Sequence, residues 1–313
     1  MRVNKSPEAP HTSVMLNEML ENLKIADNEI YLDATFGAGG YSRAILNSAN
    51  CTVYGIDQDP LANEMAKTLS HDFPNRFKLL NGRFSRSEKL LKSENIDQVD
   101  GIVLDIGVSS MQFDDMERGF SFNSDAKLDM RMDQEGQLSA YEVINEFSEE
   151  QIRDIIKNLG EEPKARLISK KIVETRQNKT IESCSDLAEI VRSFYKGYFK
   201  LDPATKTFQG LRIFVNQELE ELKQILESSL KLLKKDGRLI VVSFHSLEDK
   251  IVKNFLKKQA GLDQSFSRYE PVREEEKLNN FTILTKSAIS PSKEEVDQNP
   301  RARSAKMRVA IKN

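Results

Sequence analysis

The sequence predicts an α/β fold, a doubly wound and mostly parallel sheet of about seven strands, Rossmann-like in plan and interrupted by an all-helical insertion. A glycine-rich turn, Gly37-Ala38-Gly39-Gly40, follows an apolar run ending near Asp33 and opens a helical stretch. A second apolar run, 51–57, ends in Asp57, roughly twenty residues after the glycines, as in a nucleotide-type βαβ unit. The βα rhythm stops between Met111 and about Thr207, then resumes.

Each element has its own signal. Val14, Leu16, Met19, Leu20 and Leu23 fall at helical spacing before a first strand over 30–34. A helix over 42–47 follows the glycine turn, then the strand over 51–57. A helix over 60–70 begins at Pro60, because proline is tolerated in a first turn. Strands are expected at 77–81 and 101–105. In the latter Ile102, Val103 and Leu104 are continuous rather than alternating, as a parallel strand covered on both faces requires. Helices are expected at 139–147, 148–159, 162–175 and 185–198. Over 208–233, Leu211, Val215, Leu219, Leu222, Leu226, Leu230 and Leu233 form one stripe at spacings of three and four, read as a single long helix ended by Lys235-Asp236-Gly237. A fifth strand over 238–244, a helix over 246–258 and a final strand pair at 280–285 and 306–311 complete the pattern. The polar, proline-punctuated stretch 287–304 reads as a surface loop. The expected domains are a discontinuous core, 1–112 with 208–313, and an inserted helical domain, 113–207.

Composition narrows the function. At 313 residues the chain exceeds what one hydrophobic core usually supports. Hydrophobic content is 39% and mean hydropathy -0.52, and no apolar run reaches membrane-spanning length. The first ten residues lack the apolar region of a signal peptide. Two cysteines and three histidines, widely scattered, suggest neither a disulfide framework nor a metal centre, and a reducing cytoplasm is the expected compartment. A net charge of -3 argues against a generic nucleic-acid binder. Two basic clusters qualify that: Lys164, Arg166, Lys170, Lys171 and Arg176, which read as a solvated helix face, and Arg301, Arg303, Lys306 and Arg308. The second has no acid near it in sequence and is the better RNA candidate.

Glycine spacing selects the cofactor class. A dinucleotide fingerprint needs G-x-G-x-x-G, and counting from Gly37 the third glycine position holds Ser42. Asp33 followed by Gly37, Gly39 and Gly40 resembles the acid-then-glycine loop of S-adenosylmethionine-dependent methyltransferases. Asp57 can accept both ribose hydroxyls, or simply end a strand in the turn Gln58-Asp59-Pro60. A nicotinamide dehydrogenase remains the alternative, and a non-catalytic RNA-binding module a third reading.

Longer motifs carry a specific resemblance. They are His11-Thr12-Ser13-Val14-Met15, the loop 33–42, Asp105-Ile106-Gly107-Val108-Ser109-Ser110, Arg118-Gly119-Phe120-Ser121-Phe122 and Leu128-Asp129-Met130-Arg131-Met132. Gly160-Glu161-Glu162, Phe208-Gln209-Gly210-Leu211-Arg212-Ile213, Ser243-Phe244-His245-Ser246-Leu247-Glu248-Asp249 and Asn299-Pro300-Arg301-Ala302-Arg303-Ser304 continue the series in order. The chain resembles, nearly end to end, the ribosomal RNA small subunit methyltransferase H family. That resemblance implies a class I S-adenosylmethionine-dependent methyltransferase acting on the exocyclic N4 of a decoding-centre cytidine in 16S rRNA, with the small ribosomal subunit as partner. It places cofactor contacts on Gly37, Gly39, Gly40, Tyr41, Asp57, Phe84, Asp105 and Gln112. Many members have histidine where this chain has Tyr41, and alanine where it has Gly210.

The implied chemistry assigns further candidates. A cytosine amino group is a poor nucleophile, so its nitrogen must be oriented towards the methyl and its N–H groups held by acceptors. Asp105 is the expected acceptor, with Ser109 or Ser110 assisting, although Asp105 can equally serve the cofactor alone. His245 can take up the departing proton at neutral pH, or cap the helix that starts beside it. Unstacking the target base costs about a few kcal/mol, and the insertion is the natural part to grip RNA. Arg118 and Arg131 can contact phosphates, or pair structurally with Asp129 or Asp133.

Overall fold

The computed structural model describes residues 13–107, 115–134, 136, 138–262 and 278–313. The chain divides into two compact units, Met1–Gly107 with Glu221–Asn313, and Val108–Glu220. Among the described residues of the first unit, seven strands form one sheet in the order β3-β2-β1-β4-β5-β7-β6. They are β1 (Ile30–Asp33), β2 (Thr52–Asp57), β3 (Phe77–Asn81), β4 (Val99–Asp105), β5 (Leu233–Ser243), β6 (Phe281–Ile283) and β7 (Lys306–Lys312). Strands β1 to β5 are parallel, and β7 lies antiparallel between β5 and β6. The expected Rossmann-like sheet is present. Its strand order reverses at β1 and β4, where such sheets bind ligands beyond their carboxyl ends.

Helices α1 (Leu16–Leu23), α2 (Gly40–Ser48), α3 (Ala62–Asp72) and α4 (Ser87–Ser93) accompany the first four strands. Successive strand residues point to opposite faces, and both faces are covered. Val103, Ile240 and Val242 pack with Met19, Ile45 and Leu69 of α1, α2 and α3. Ile102, Leu104, Leu239 and Val241 pack into a second cluster with Leu91 of α4. Double coverage is why these strands read as unbroken apolar runs. Helix α4 had no signal in the sequence, because seven residues are too few to establish a period.

The second unit contains α5 (Ala140–Glu146), α6 (Glu149–Asn158), α7 (Ala165–Arg176), α8 (Cys184–Arg192) and α9 (Thr205–Asn216). Three start at capping boxes, where Ser139, Ser148 and Ser183 pair with Glu142, Gln151 and Asp186. Ile144, Ile152, Ile156, Ile168, Leu187 and Leu211 form a separate core. Among its described residues this unit has no strand, only an isolated bridge between Lys127 and Ser183.

Three expectations need correction. The stripe over 208–233 is two helices, α9 and α10 (Glu218–Leu232), separated at Gln217, whose φ of 55 is left-handed. Leu211 serves the helical core, whereas Leu222, Leu226 and Leu233 serve the sheet. One periodic stripe feeds two cores because continuity of spacing is blind to a single left-handed residue. Lys235-Asp236-Gly237 does not end a helix; it lies within β5, with Asp236 at φ 66 and a register shift opposite Val99 and Gly101. After α11 (Ser246–Gln259), the stretch expected as a loop holds α12 (Lys293–Gln298), capped by Ser292, and a 3-10 turn over Pro300–Ser304. Helix α12 buries none of its residues, so it left no apolar pattern to read.

Candidate cofactor and catalytic site

The site begins where β1 ends. Asp33 is 1% exposed, and its Oδ2 accepts from the Ser42 amide at 3.1 Å and the Ser42 hydroxyl at 2.7 Å. Ser42 is the third residue of α2, so the strand-ending acid caps the helix across the intervening loop. The loop is tied to both neighbouring strands: Ala34 N–H donates to Val103 O at 3.0 Å, and Phe36 N–H to Ile56 O at 2.9 Å. Gly39 has φ +78, and a Cβ there would lie 2.7 Å from Phe36 Cζ. A Cβ on Gly40 would lie 1.8 Å from Ser13 Oγ. Glycine therefore permits both the turn and the close approach, and leaves bare main chain at the start of α2.

Asp57 completes the loop. Its Oδ2 accepts from Gly37 N–H at 2.7 Å and its Oδ1 from Asp59 N–H at 2.8 Å. Gly82 N–H donates to Asp57 O at 2.8 Å, which brings the exit of β3 alongside. Phe84 opens the 3-10 turn two residues later, half-buried against the sheet core. Burial pushes the carboxyl groups of Asp33 and Asp57 up to about 6 each.

Asp105 ends β4, and its N–H donates to Thr35 Oγ1 at 2.6 Å. Burial, then the charges of Asp33, Glu248 and Glu295, push its carboxyl up to about 8. Its Oδ1 is buried and has no hydrogen-bond partner among the described residues. A buried acid with an unpartnered oxygen, in the field of three further carboxylates, favours a ligand carrying positive charge and N–H donors. S-adenosylmethionine, with its sulfonium and ammonium, has that chemistry.

The segment 13–15 lies over the start of α2. Tyr41, 4% exposed, donates its hydroxyl to Val14 O at 2.5 Å, and Met15 N–H donates to Glu295 Oε1 at 2.6 Å. Burial pushes the Tyr41 phenol well above its ordinary value. The Tyr41 hydroxyl is thus committed to the protein.

Asp57 and Asp105 end β2 and β4, Gly37 and Gly39 lie in the loop that leaves β1, Gly40 and Tyr41 open α2, and Phe84 opens the 3-10 turn after β3. Ser109 and Gln112 lie outside the described residues. His245 is the N-cap of α11: Glu248 N–H donates to its Nδ1 at 3.4 Å, and its Nε2 lies 3.0 Å from Glu248 Oε1. Glu248 Oε2 accepts from Phe244 N–H at 2.8 Å, closing the cap. Of the two roles open to His245, capping is the one its contacts perform. Reasoning from sequence missed Glu248 and Glu295. Glu295 reaches Met15 across 280 positions, for which no local pattern exists.

The basic candidates separate by their partners. Arg118 is 6% exposed and donates to Arg131 O at 2.9 Å and Met132 O at 3.2 Å. Arg131 pairs bidentately with Asp129 at 2.7 and 2.8 Å and donates to Gly136 O. Both arginines are structural. Arg176 donates to the last carbonyls around α5, Ile144 O and Phe147 O, whereas Arg166, Lys170 and Lys171 are exposed. The terminal cluster does have an acid near it: Arg308 pairs with Asp249 at 2.7 and 3.2 Å, and Lys306 lies 3.7 Å from the same carboxylate. Asp249 stands 59 residues away, which hid it from a reading along the chain.

No described helix is long and apolar enough to cross a membrane. The chain matches the MraW methylase family over residues 8–313. Ribosomal RNA small subunit methyltransferase H of Maricaulis maris is 50% identical over 307 residues, 97% of this chain and 92% of that protein. The protein of the same name from Rickettsia conorii is 51% identical over 304 residues, covering 96% and 97%. That from Wolbachia is 48% identical over 299 residues, covering 95% and 97%. With a family match from residue 8 to residue 313 and relatives at about half identity, the chain belongs to the MraW methylase family.

Proposed function

We propose that this protein transfers a methyl group from S-adenosylmethionine to the exocyclic N4 of a decoding-centre cytidine in 16S rRNA. Membership of a methylase family and relatives named for the small-subunit rRNA make it an S-adenosylmethionine-dependent rRNA methyltransferase, and the dehydrogenase and non-catalytic alternatives fall away. The choice of an amino nitrogen rests on the buried Asp105 and its unpartnered Oδ1 at the end of β4.

Bound S-adenosylmethionine supplies an electrophilic methyl on a sulfonium. The bare backbone at Gly39 and Gly40 would admit the adenosine side, Asp57 would hold the ribose hydroxyls, and Phe84 would offer an apolar surface to the adenine. Asp105 Oδ1 would accept an N–H of the target amine and so orient the nitrogen towards the methyl. Transfer would form the C–N bond as the S–methyl bond breaks, with the electron pair left on sulfur as a neutral thioether, and Asp105 would take the proton lost from the nitrogen. This needs the ionised carboxylate, whereas the group titrates near 8 without a neighbouring cation. Positive charge held beside it draws that value down and prepares the acceptor. His245 is assigned the positioning of Glu248, which adds to the negative field at Asp105.

The helical unit, Val108–Glu220, is the part we assign to gripping RNA. The test is transfer of labelled methyl from S-adenosylmethionine to unmodified small subunits and to protein-free 16S rRNA, followed by nucleoside analysis. N4-methylcytidine appearing only with enzyme is the expected product. Methyl on another nucleoside, or on a ring carbon or ribose, would overturn the N4 assignment.

A further inference from the structure

The connection between α8 and α9 carries side chains that the helical unit does not use. Every residue from 196 to 201 is exposed, with Tyr198 at 96%, Phe199 at 42% and Leu201 at 56%. A phenol ring standing almost wholly in water forgoes the burial that usually accounts for a tyrosine. The stem beneath it is well tied. Tyr195 meets Phe199 edge to face, with centroids 5.5 Å apart and planes at 88°. Lys164 Nζ sits 3.9 Å over the Tyr195 ring and donates to Phe194 O at 2.6 Å. The Tyr195 hydroxyl donates to Glu162. At the tip, Gly197 takes φ +98 and turns the chain, and nothing lies within 4 Å of where its Cβ would be.

Charge says what such a tip can meet. Lys196 and Lys200 flank the exposed rings and are themselves exposed. The acid that follows, Asp202, is held by Arg192 through contacts of 2.7 to 3.2 Å. The tip therefore offers an uncovered aromatic face between two cations. Single-stranded RNA presents the complement, an unstacked base between two phosphates. An apolar protein groove would cover the ring but would have to desolvate both ammonium groups.

We infer that the 196–201 loop is a contact for single-stranded RNA, in which Tyr198 stacks on an unpaired base while Lys196 and Lys200 meet phosphates on either side. The inference rests on the proposed rRNA substrate and names a part of the protein that holds it.

Two measurements test it. In steady-state methyl transfer, Tyr198→Ala is expected to raise KM for RNA on the order of ten-fold, as loss of one base–aromatic stack does. Its kcat and S-adenosylmethionine affinity should be unchanged, and Tyr198→Phe, which keeps the ring, should match the parent. In direct binding of a fluorescein-labelled single-stranded fragment of 16S rRNA, Lys196→Ala with Lys200→Ala should lower the slope of log affinity against log salt by about 1.4, roughly 0.7 per phosphate. A wild-type affinity in Tyr198→Ala, or equal losses in the alanine and phenylalanine variants, overturns the stacking role. A defect on intact subunits that disappears on protein-free RNA means the loop meets a ribosomal protein, which also overturns it. The binding assay reads the loop even if the parent protein methylates no RNA, an outcome that would instead remove the proposed function.

Discussion

Replacing Asp105 by asparagine is expected to stabilise the cofactor-free protein while abolishing methyl transfer. The carboxyl titrates near its ordinary value of 3.8 in the unfolded chain and is pushed up to about 8 in the folded one. Below pH 3.8 it is protonated in both states and makes no difference. As pH rises, the unfolded chain gains an ionised, solvated carboxylate that the folded chain must keep neutral. Stability present at low pH is therefore lost progressively until pH passes about 8. At pH 7 the interval above 3.8 is about three pH units, which at about 1.4 kcal/mol per unit gives an upper bound of about 4 kcal/mol. Asparagine does not ionise and escapes that penalty, less about 1 kcal/mol for burying its amide. Urea unfolding of parent and Asp105→Asn between pH 4.5 and 8.5, without cofactor, should show an advantage of the variant that is small in acid and grows steadily towards neutrality. A variant less stable at pH 8, or an advantage independent of pH, would refute the electrostatic account of this site. Saturating S-adenosylmethionine should then stabilise the parent more than the variant, because only the parent offers the cation a charge.

The same linkage predicts that S-adenosylmethionine affinity of the parent rises with pH, by up to about ten-fold per unit below pH 8, and levels off above it. Calorimetry in two buffers of different ionisation heat should detect proton release on binding at pH 7, and a flat profile would remove Asp105 from the cofactor contacts. Gly39→Ala places a Cβ 2.7 Å from Phe36 on a backbone with φ +78, so a stability loss of about 1–3 kcal/mol and weaker cofactor binding are expected from thermal shift and titration. Arg131→Lys should lower the unfolding temperature through loss of the bidentate Asp129 pair and leave KM for RNA unchanged. A raised KM at constant stability would make Arg131 an RNA contact after all.

Much of the fold was legible along the chain. Strand β4 announced itself by the unbroken apolar run Ile102-Val103-Leu104, because both faces of the sheet are covered there, and β3, with Lys78 and Asn81 exposed, still matches its expected bounds of 77–81. The glycine loop was legible because backbone with positive φ restricts residue type locally. Helix α12 was not, since it buries nothing and writes no period. The break at Gln217 was not, since a single left-handed residue leaves the leucine spacing intact. The 196–201 loop was hidden too: a helix was expected over 185–198, whereas α8 ends at Arg192, and a tyrosine in sequence looks the same whether buried or bare.

By itself the sequence determined the sheet, the glycine loop, the two strand-ending acids Asp57 and Asp105, and the family, because each is written in local pattern or in long ordered motifs. Only the tertiary structure decided which charges are spent and which are held in reserve. In sequence Arg308 read as an RNA candidate, Arg118 and Arg131 were open to phosphates or to structural pairing, and Arg176 read as part of a solvated helix face; in the fold each has a carbonyl or carboxylate against it, 59 residues away for Arg308. The elevated titration of Asp105 depends first on its burial and then on the charges of Asp33, Glu248 and Glu295, which approach it from a strand end, α11 and α12 only in the folded chain. Charge and burial are properties of neighbours in space, and a chain states its neighbours only after it has folded.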